Sequence, residues 1–387
     1  MSFPTSGWGS GKWGTSLIWG YASTGIMAAA SRVTAEMIRV LEQSQASLVQ
    51  IGARLEIDGT DVTSYASAFR VTLRGVGIGA SDAEFELTTS SLTINLHQSV
   101  VALFIDYTAP SGATFTSERF RGLAHAIEET RSATGSTWKL TCLDQSYMLA
   151  ERAIALAWQF DFIGSAEDKL NEELAAQGFG PIFGKMADWD GINDIVIAAG
   201  ITIIYGGFPT WPFANSRDFI NILASYRKPS LLFTGADNIT RIKAYDESAA
   251  GPFSFPLACQ TQQQPSENAT ERCNHICIQA AGAAYNFYTT QDDADITAKG
   301  LMRRTITKAS ASSWWPIRAA IATDYMSWSQ LCKYRWRSNL HAFVFPTDVV
   351  TLTLTTGGTK AVMVEEVTDS GGFPDGYWSE WIAREVP

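Results

Sequence analysis

Between Leu48 and Leu143, apolar and polar positions alternate with a period of two. Leu55 and Ile57 are separated by Glu56. Phe69, Val71 and Leu73 are separated by Arg70 and Thr72, and Phe85 and Leu87 by Glu86. Successive side chains of a strand point to opposite faces, so this pattern predicts strands buried on one side. Asp58-Gly59-Thr60-Asp61 has the residues of a tight hairpin turn. Ser99 to Tyr107 is more continuously apolar and reads as a central strand. Segments at 115–127 and 137–143 bring the set to about six or seven short strands, the signature of a small antiparallel barrel or sandwich.

The pattern changes on either side of this block. Ser31 to Gln45 places Val33, Met37, Val40 and Leu41 on one helical face, with Ser31 as a cap. From Ala150 the period turns helical. Leu170 and Leu174 mark one helix over 166–176, and Phe219, Ile222, Leu223 and Tyr226 mark a second, which Lys228-Pro229 ends. Strands follow at Leu231 to Thr234 and Thr240 to Tyr245 around the turn Gly235 to Asn238. Gly251 to Asn268 is polar, centred on Gln260 to Pro265, and reads as a linker or crossing loop. Alternation returns at Arg272 to Ala281. Asp324 to Arg337 fits a helix through Tyr325, Trp328, Leu331, Cys332 and Arg335. Strands are expected at Leu340 to Phe345, Val349 to Thr355, Lys360 to Thr368 and Tyr377 to Val386. The expected chain is mainly β with an α+β insert. An arm and helix (1–47) precede a first barrel (48–149), an intermediate α+β domain (150–250) and a second barrel (251–387).

Composition adjusts this picture. The chain has 387 residues, 46% hydrophobic and only 18% charged, against a typical charged share of about 25%. Such a chain can build large cores, and a disordered acidic protein is excluded. Aromatics make up 12%, with 13 Trp; these residues are favoured at interfaces, so the composition points to an assembled protein. The first twenty-one residues are rich in Gly and Trp. Trp8, Trp13 and Trp19 have no local core to enter and suit an extended arm that orders on a neighbouring subunit. Gly11-Lys12 is not a nucleotide loop, because Ser6 stands where the first Gly belongs and Trp13 where a Mg²⁺-binding Ser or Thr belongs. The net charge of −10 argues against a nucleic-acid platform, which needs basic surface to displace counterions. It permits a channel through which DNA slides without capture. Five scattered Cys imply reduced thiols rather than a disulfide framework. No window supplies the roughly 20 apolar residues of a membrane span. Leu17 to Ala30 resembles a signal peptide only weakly, with Lys12 alone before it.

A search for chemistry finds no constellation. The four His, at 97, 125, 275 and 341, lie in no catalytic or metal motif. Cys273, His275 and Cys277 would share one face of a strand, but at a spacing of about 6.6 Å, too wide for a tetrahedral zinc with bonds of about 2.3 Å. No metal or cofactor is expected. The acid pairs Glu128-Glu129, Glu172-Glu173, Asp292-Asp293 and Glu365-Glu366 would diverge on a strand or helix and form no acid–base pair by adjacency. Arg303, Arg304 and the Lys333-Arg335-Arg337 face are the only basic clusters and read as inter-subunit salt-bridge partners. A glycan hydrolase with distant carboxylates, or a carbohydrate-binding adhesin with exposed Trp, is the rival reading.

Three short stretches carry a resemblance. Arg54-Leu55-Glu56-Ile57-Asp58-Gly59 opens a strand series that reaches Phe120-Arg121-Gly122-Leu123-Ala124, similar to an F-x-G-x-V strand. Asp295 to Arg304 resembles D-x-x-S-I-x-x-Y-G-x-R, with Lys299 in place of Tyr. Phe345-Pro346-Thr347-Asp348-Val349-Val350 resembles P-G-D-x-V, with Thr347 in place of Gly. Together with the order of elements, these resemble the baseplate-hub proteins of phage tail tips. The resemblance implies two tail-tube-like barrels in one chain. It implies a homotrimer that presents six barrels and adapts a hexameric tail tube to a threefold spike or central fibre. DNA would pass through the lumen without specific binding, and a tape measure protein is a possible neighbour. It also implies a non-enzymatic virion protein assembled in the host cytoplasm.

Overall fold

The computed structural model describes residues 50–150, 229–245 and 251–387, apart from short loop stretches within them. The arm and helix expected within 1–47, and the helices expected at 166–176 and 215–226, lie outside the described residues.

The first strand block forms as its alternation requires. It comprises β1 (Gln50–Ile57), β2 (Thr60–Asp61), β3 (Ala66–Arg74), β4 (Asp82–Leu87), β5 (Val100–Thr108), β6 (Thr114–Ser132) and β7 (Gly135–Asp144). The β1–β2 turn has positive φ at both central residues, 52° at Asp58 and 77° at Gly59, the geometry whose twist matches the strands it joins. Asp58 also accepts from the Ser99 hydroxyl at 2.9 Å and the Val100 amide at 3.0 Å, fixing this turn to the start of β5. The hairpin β8 (Ser230–Thr234) and β9 (Thr240–Ala244) lies where the sequence places it.

The second half contributes β10 (Ser254–Phe255), β11 (Gln262–Ser266), β12 (His275–Ala280), β13 (Phe287–Gln291), α1 (Asp293–Lys299), β14 (Arg303–Lys308), α2 (Trp315–Gln330), β15 (Lys333–Asn339), β16 (Val349–Thr353), β17 (Thr359–Gly372) and β18 (Trp378–Glu385). The chain is mainly β, with large antiparallel sheets. Among the described residues, one sheet of 13 strands follows the order β11-β15-β18-β17-β3-β4-β7-β6-β5-β1-β2, with β16 beside β17 and β10 beside β16. The strands of the two expected barrels are therefore joined edge to edge, through Val367 opposite Leu73 and Thr368 opposite Thr72. One apolar cluster runs under both, from Leu55, Phe85 and Leu103 to Val364, Trp336 and Trp381. Each such side chain contributes about 1.5–3 kcal/mol by leaving water, so the two halves share this core. A smaller sheet, β13-β12-β14, packs against α2.

Three sequence expectations need correction. The helix expected at Asp324 to Arg337 ends at Gln330, and Lys333–Asn339 is strand β15. Tyr334, Trp336 and Ser338 are buried in alternation, because β15 is paired on both sides, to β18 and β11. Leu340 to Phe345 is a loop rather than a strand. Gly251 to Asn268 is no free linker. Phe253 and Phe255 are buried, and β11 extends the sheet. The Gln260 and Gln263 amides donate to the Thr353 carbonyl at 3.0 and 2.9 Å.

Candidate functional site

Two of the charges this fold buries, Arg119 and Glu365, sit where strands are irregular. In β6, Phe120 faces Leu103 and Glu118 faces Phe104, leaving Arg119 as an extra residue. Further along β6, Ala124 faces Cys142 and Ala126 faces Thr141, leaving His125 extra. In β17, Val364 faces Ala383 and Glu366 faces Ile382, leaving Glu365 extra. A bulge interrupts the strict alternation and re-aims one side chain. Glu365 and Glu366 thus diverge as neighbours on a strand should. Glu365 is buried, and Glu366 meets Arg74 at 3.3 Å on the outer surface.

Arg119 organises the first charge cluster. Its guanidinium pairs with Asp369, and both side chains have 0% exposure. It also donates to the Val344 carbonyl at 2.6 Å and lies over the Phe345 ring at 4.8 Å. Tyr107 donates to the Leu340 carbonyl at 3.0 Å and accepts from the Ala342 amide at 2.8 Å, and Ser117 donates to the Ala342 carbonyl at 2.7 Å. Side chains of β5 and β6 thus take the place of a neighbouring strand for residues 340–344. That is why this buried segment is not itself a strand. Burial raises the Tyr107 hydroxyl pKa, so it stays a neutral donor.

The second cluster joins β17, β18, β15, the residue after β9 and the entry to β12. Arg384 donates to Glu365 at 2.7 Å, pairs with Glu271 and lies over the Trp328 ring at 4.1 Å. Lys333 bridges Glu271 at 3.0 Å and Glu365 at 3.1 Å. Tyr245 donates to Glu365. Burial pushes Glu271 up, but the hydrogen bonds from Arg384 and Lys333 outweigh it and hold the carboxyl below its usual range. Two acids and two bases neutralise one another, which suits bracing rather than proton transfer. The adjoining cavity, lined by Pro229, Tyr245, Asp324, Trp328, Leu331 and Pro387, holds 180 Å³, below the roughly 300–1,000 Å³ of small-molecule sites.

No protein-family model matches the chain, and no curated protein matches it in sequence. Solved structures do match in shape. A tail protein from Neisseria meningitidis superposes with a TM-score of 0.58 at 9% identity, covering 87% of this chain and 96% of its own. A 43 kDa tail protein of a Shewanella oneidensis prophage gives 0.60 at 10% identity, covering 86% and 98%. The prophage tail protein gp18 from Listeria monocytogenes gives 0.50 at 9% identity, covering 86% and 94%.

This is the fold of phage tail proteins. Two of the short motifs find a physical reason within the tail fold. Gly122 lies where β6 exchanges partners, opposite both Val101 and Asp144. A Cβ there would collide with the Leu143 carbonyl and stand 2.6 Å from Phe120 Cζ. Thr347, which replaces Gly in the third motif, has φ of 79°, a left-handed backbone that glycine adopts without strain and a β-branched residue does not. Its amide donates to Val364 at 3.0 Å and Asp348 accepts from the Phe345 amide at 2.9 Å, so surrounding contacts hold the turn.

The residues expected at partner interfaces are scattered. Trp8, Trp13 and Trp19 lie outside the described residues. Arg303 on β14 and Arg335 on β15 are exposed, on different sheets, and Arg304 is half-buried, donating to the Glu271 carbonyl at 3.3 Å. Lys333 and Arg337, grouped with Arg335 as inter-subunit partners, are engaged within the chain instead. Lys333 belongs to the second cluster. Arg337 meets Glu380 at 3.1 Å and stacks on Trp378 at 3.7 Å. Cys273, His275 and Cys277 do not share a face. Cys273 precedes β12 and is buried, its Sγ 3.3 Å from the Ser329 hydroxyl. No group of three or more His, Cys, Asp or Glu able to hold a metal occurs among the described residues. No helix among them is long and apolar enough to cross a membrane. Sequence reasoning missed Arg119, Glu365 and Arg384. Only Glu365 carried a visible sign, an acid that ends the apolar run Ala361 to Val364; Arg119 and Arg384 stand among other charged and polar residues.

Proposed function

We propose that this chain is a structural hub of a phage tail tip or baseplate, acting without catalysis in the virion. Three copies form a ring of pseudo-sixfold character that seats a threefold spike or fibre on the hexameric tail tube, with DNA passing through the lumen. The reading keeps the division into an arm (1–47), two tube-like domains (48–149 and 251–387) and an intermediate domain (150–250). Trp8, Trp13 and Trp19 anchor the arm on a neighbouring subunit, and Arg303, Arg304 and Arg335 face partners. Assembly takes place in the host cytoplasm.

One observation carries the reading. The fold likeness runs over 86–87% of this chain and 96–98% of two tail proteins, so it is a likeness of whole molecules rather than of a shared module. The bracing of the two halves by buried charges supports it, since a ring component must transmit load without its halves parting. A net charge of −10 suits a lumen that does not capture DNA. Light scattering of the full chain, with negative-stain microscopy, tests the proposal. A native mass near three times 42.2 kDa with threefold particles is expected. A persistent monomer that hydrolyses cell-wall glycan would overturn it.

A further inference from the structure

The geometry points to a two-histidine chelate for a divalent transition cation, formed by His97 and His125. Only four His occur in the chain, and these two, 28 positions apart, bring their ring centres to 5.1 Å with an interplanar angle of 87°. An ion bonded to both imidazoles at about 2.0–2.1 Å would lie about 3.2 Å from each ring centre and, at a tetrahedral angle, hold the centres about 5 Å apart. The observed spacing suits a chelate as well as edge-to-face ring packing, and metal uptake separates the two.

Two separate backbone irregularities produce this meeting. His125 is the extra residue of the second β6 bulge, between Ala124 and Ala126, and bulges re-aim side chains. His97 has φ of 61° in a turn fixed at several points. Its amide donates to the Ala124 carbonyl at 2.7 Å, the residue next to His125. Ser99 donates its amide to Asn95 at 2.8 Å and its hydroxyl to Asp58 at 2.9 Å, and the Asn95 amide donates to the Ser99 hydroxyl at 3.0 Å. His97 is exposed and His125 half-buried, so an ion has a path of entry. The Tyr147 ring also packs against His125, at 5.7 Å between ring centres. No third His, Cys, Asp or Glu completes a set among the described residues, and water can fill the remaining positions. Imidazole donors favour zinc, nickel and copper over magnesium and calcium, which select oxygen.

Isothermal titration of the full chain with Zn²⁺ and Ni²⁺, with Mg²⁺ as the control, tests the site. One ion per chain is expected for the transition metals and none for Mg²⁺. His97→Gln and His125→Gln should each weaken binding about tenfold or more, since even loss of an outer-shell partner costs 10–100-fold. Tyr147→Phe should leave it unchanged. A metal-dependent rise in Tm should appear in the parent chain and vanish in both His variants, because an ion bound only to the folded state stabilises it. Uptake that survives both His substitutions assigns the ion to other side chains and overturns the proposal, as does uptake no greater than that of Mg²⁺.

Discussion

Replacing Arg119 by Met should destabilise the folded chain more than any surface substitution. Arg119→Met keeps an unbranched apolar stem of similar reach and removes the guanidinium. Asp369, with 0% side-chain exposure, then retains the Ser379 hydroxyl as a donor and loses its counter-charge. The Ala342 and Val344 carbonyls lose the donors now at 3.3 and 2.6 Å. Removing one partner of a buried ion pair costs about 3–5 kcal/mol, chiefly through the charge left behind. Lost hydrogen bonds to a charged group are worth about 1.5–3 kcal/mol each but overlap with that figure. Arg119 Nη2 is buried without a partner among the described residues, which offsets part of the loss. The expected cost is thus about 3–5 kcal/mol, a large share of a typical stability of about 5–15 kcal/mol. Urea unfolding followed by Trp fluorescence reads it, because Trp336 and Trp381 lie stacked in the same core, 6.0 Å apart. Adding Asp369→Asn should recover part of the loss, since the double variant buries no unpaired charge. A single-variant cost below about 1 kcal/mol, the range of an exposed pair, would refute the claim that this pair braces the two halves. So would strict additivity of the two substitutions.

Gly122→Ala should lower stability by about 1–3 kcal/mol, the cost of overpacking, read as a fall in Tm; an unchanged Tm would show that β6 has slack at its exchange point. His341 is 2% exposed, and burial, then the charge of Arg119, depresses its pKa from 6.5 to about 3. Below pH 6.5 the unfolded chain binds a proton that the folded chain refuses. Its contribution is therefore complete above about pH 6.5 and is lost toward pH 3, by at most about 1.4 kcal/mol per unit. His341→Gln should flatten the stability profile between pH 6 and 4 relative to the parent, and parallel profiles would contradict this. Arg303→Glu combined with Arg335→Glu should leave the unfolding free energy of the chain within about 0.5 kcal/mol of the parent while shifting light-scattering mass toward the monomer. Unchanged mass would remove these residues from the proposed interface.

The alternation of Phe69, Val71 and Leu73, or of Phe85 and Leu87, was sufficient by itself to define strands with an inner face, because a period of two is a local property of the backbone. The Asp58-Gly59 turn was legible for the same reason, since its φ values depend on those two residues. The mainly β character followed from the same periodicity. At Asp324 to Arg337 the local signal was ambiguous. Tyr325, Trp328, Leu331 and Cys332 fit a helical spacing, and only pairing with β18 and β11 turned residues 333–339 into a strand. At Thr347 the sequence supplied a departure from a motif but not the φ of 79°, which contacts with Val364 enforce. The joining of the halves through β17 and β3, and the bulges that aim Arg119, His125 and Glu365, belong to the tertiary structure. Where a strand takes an extra residue depends on the register that its hairpin partners β5, β7 and β18 demand, and the joining of the halves on a partner almost 300 residues away, β3 for β17. Local periodicity carries no record of such a distance; the shared core does.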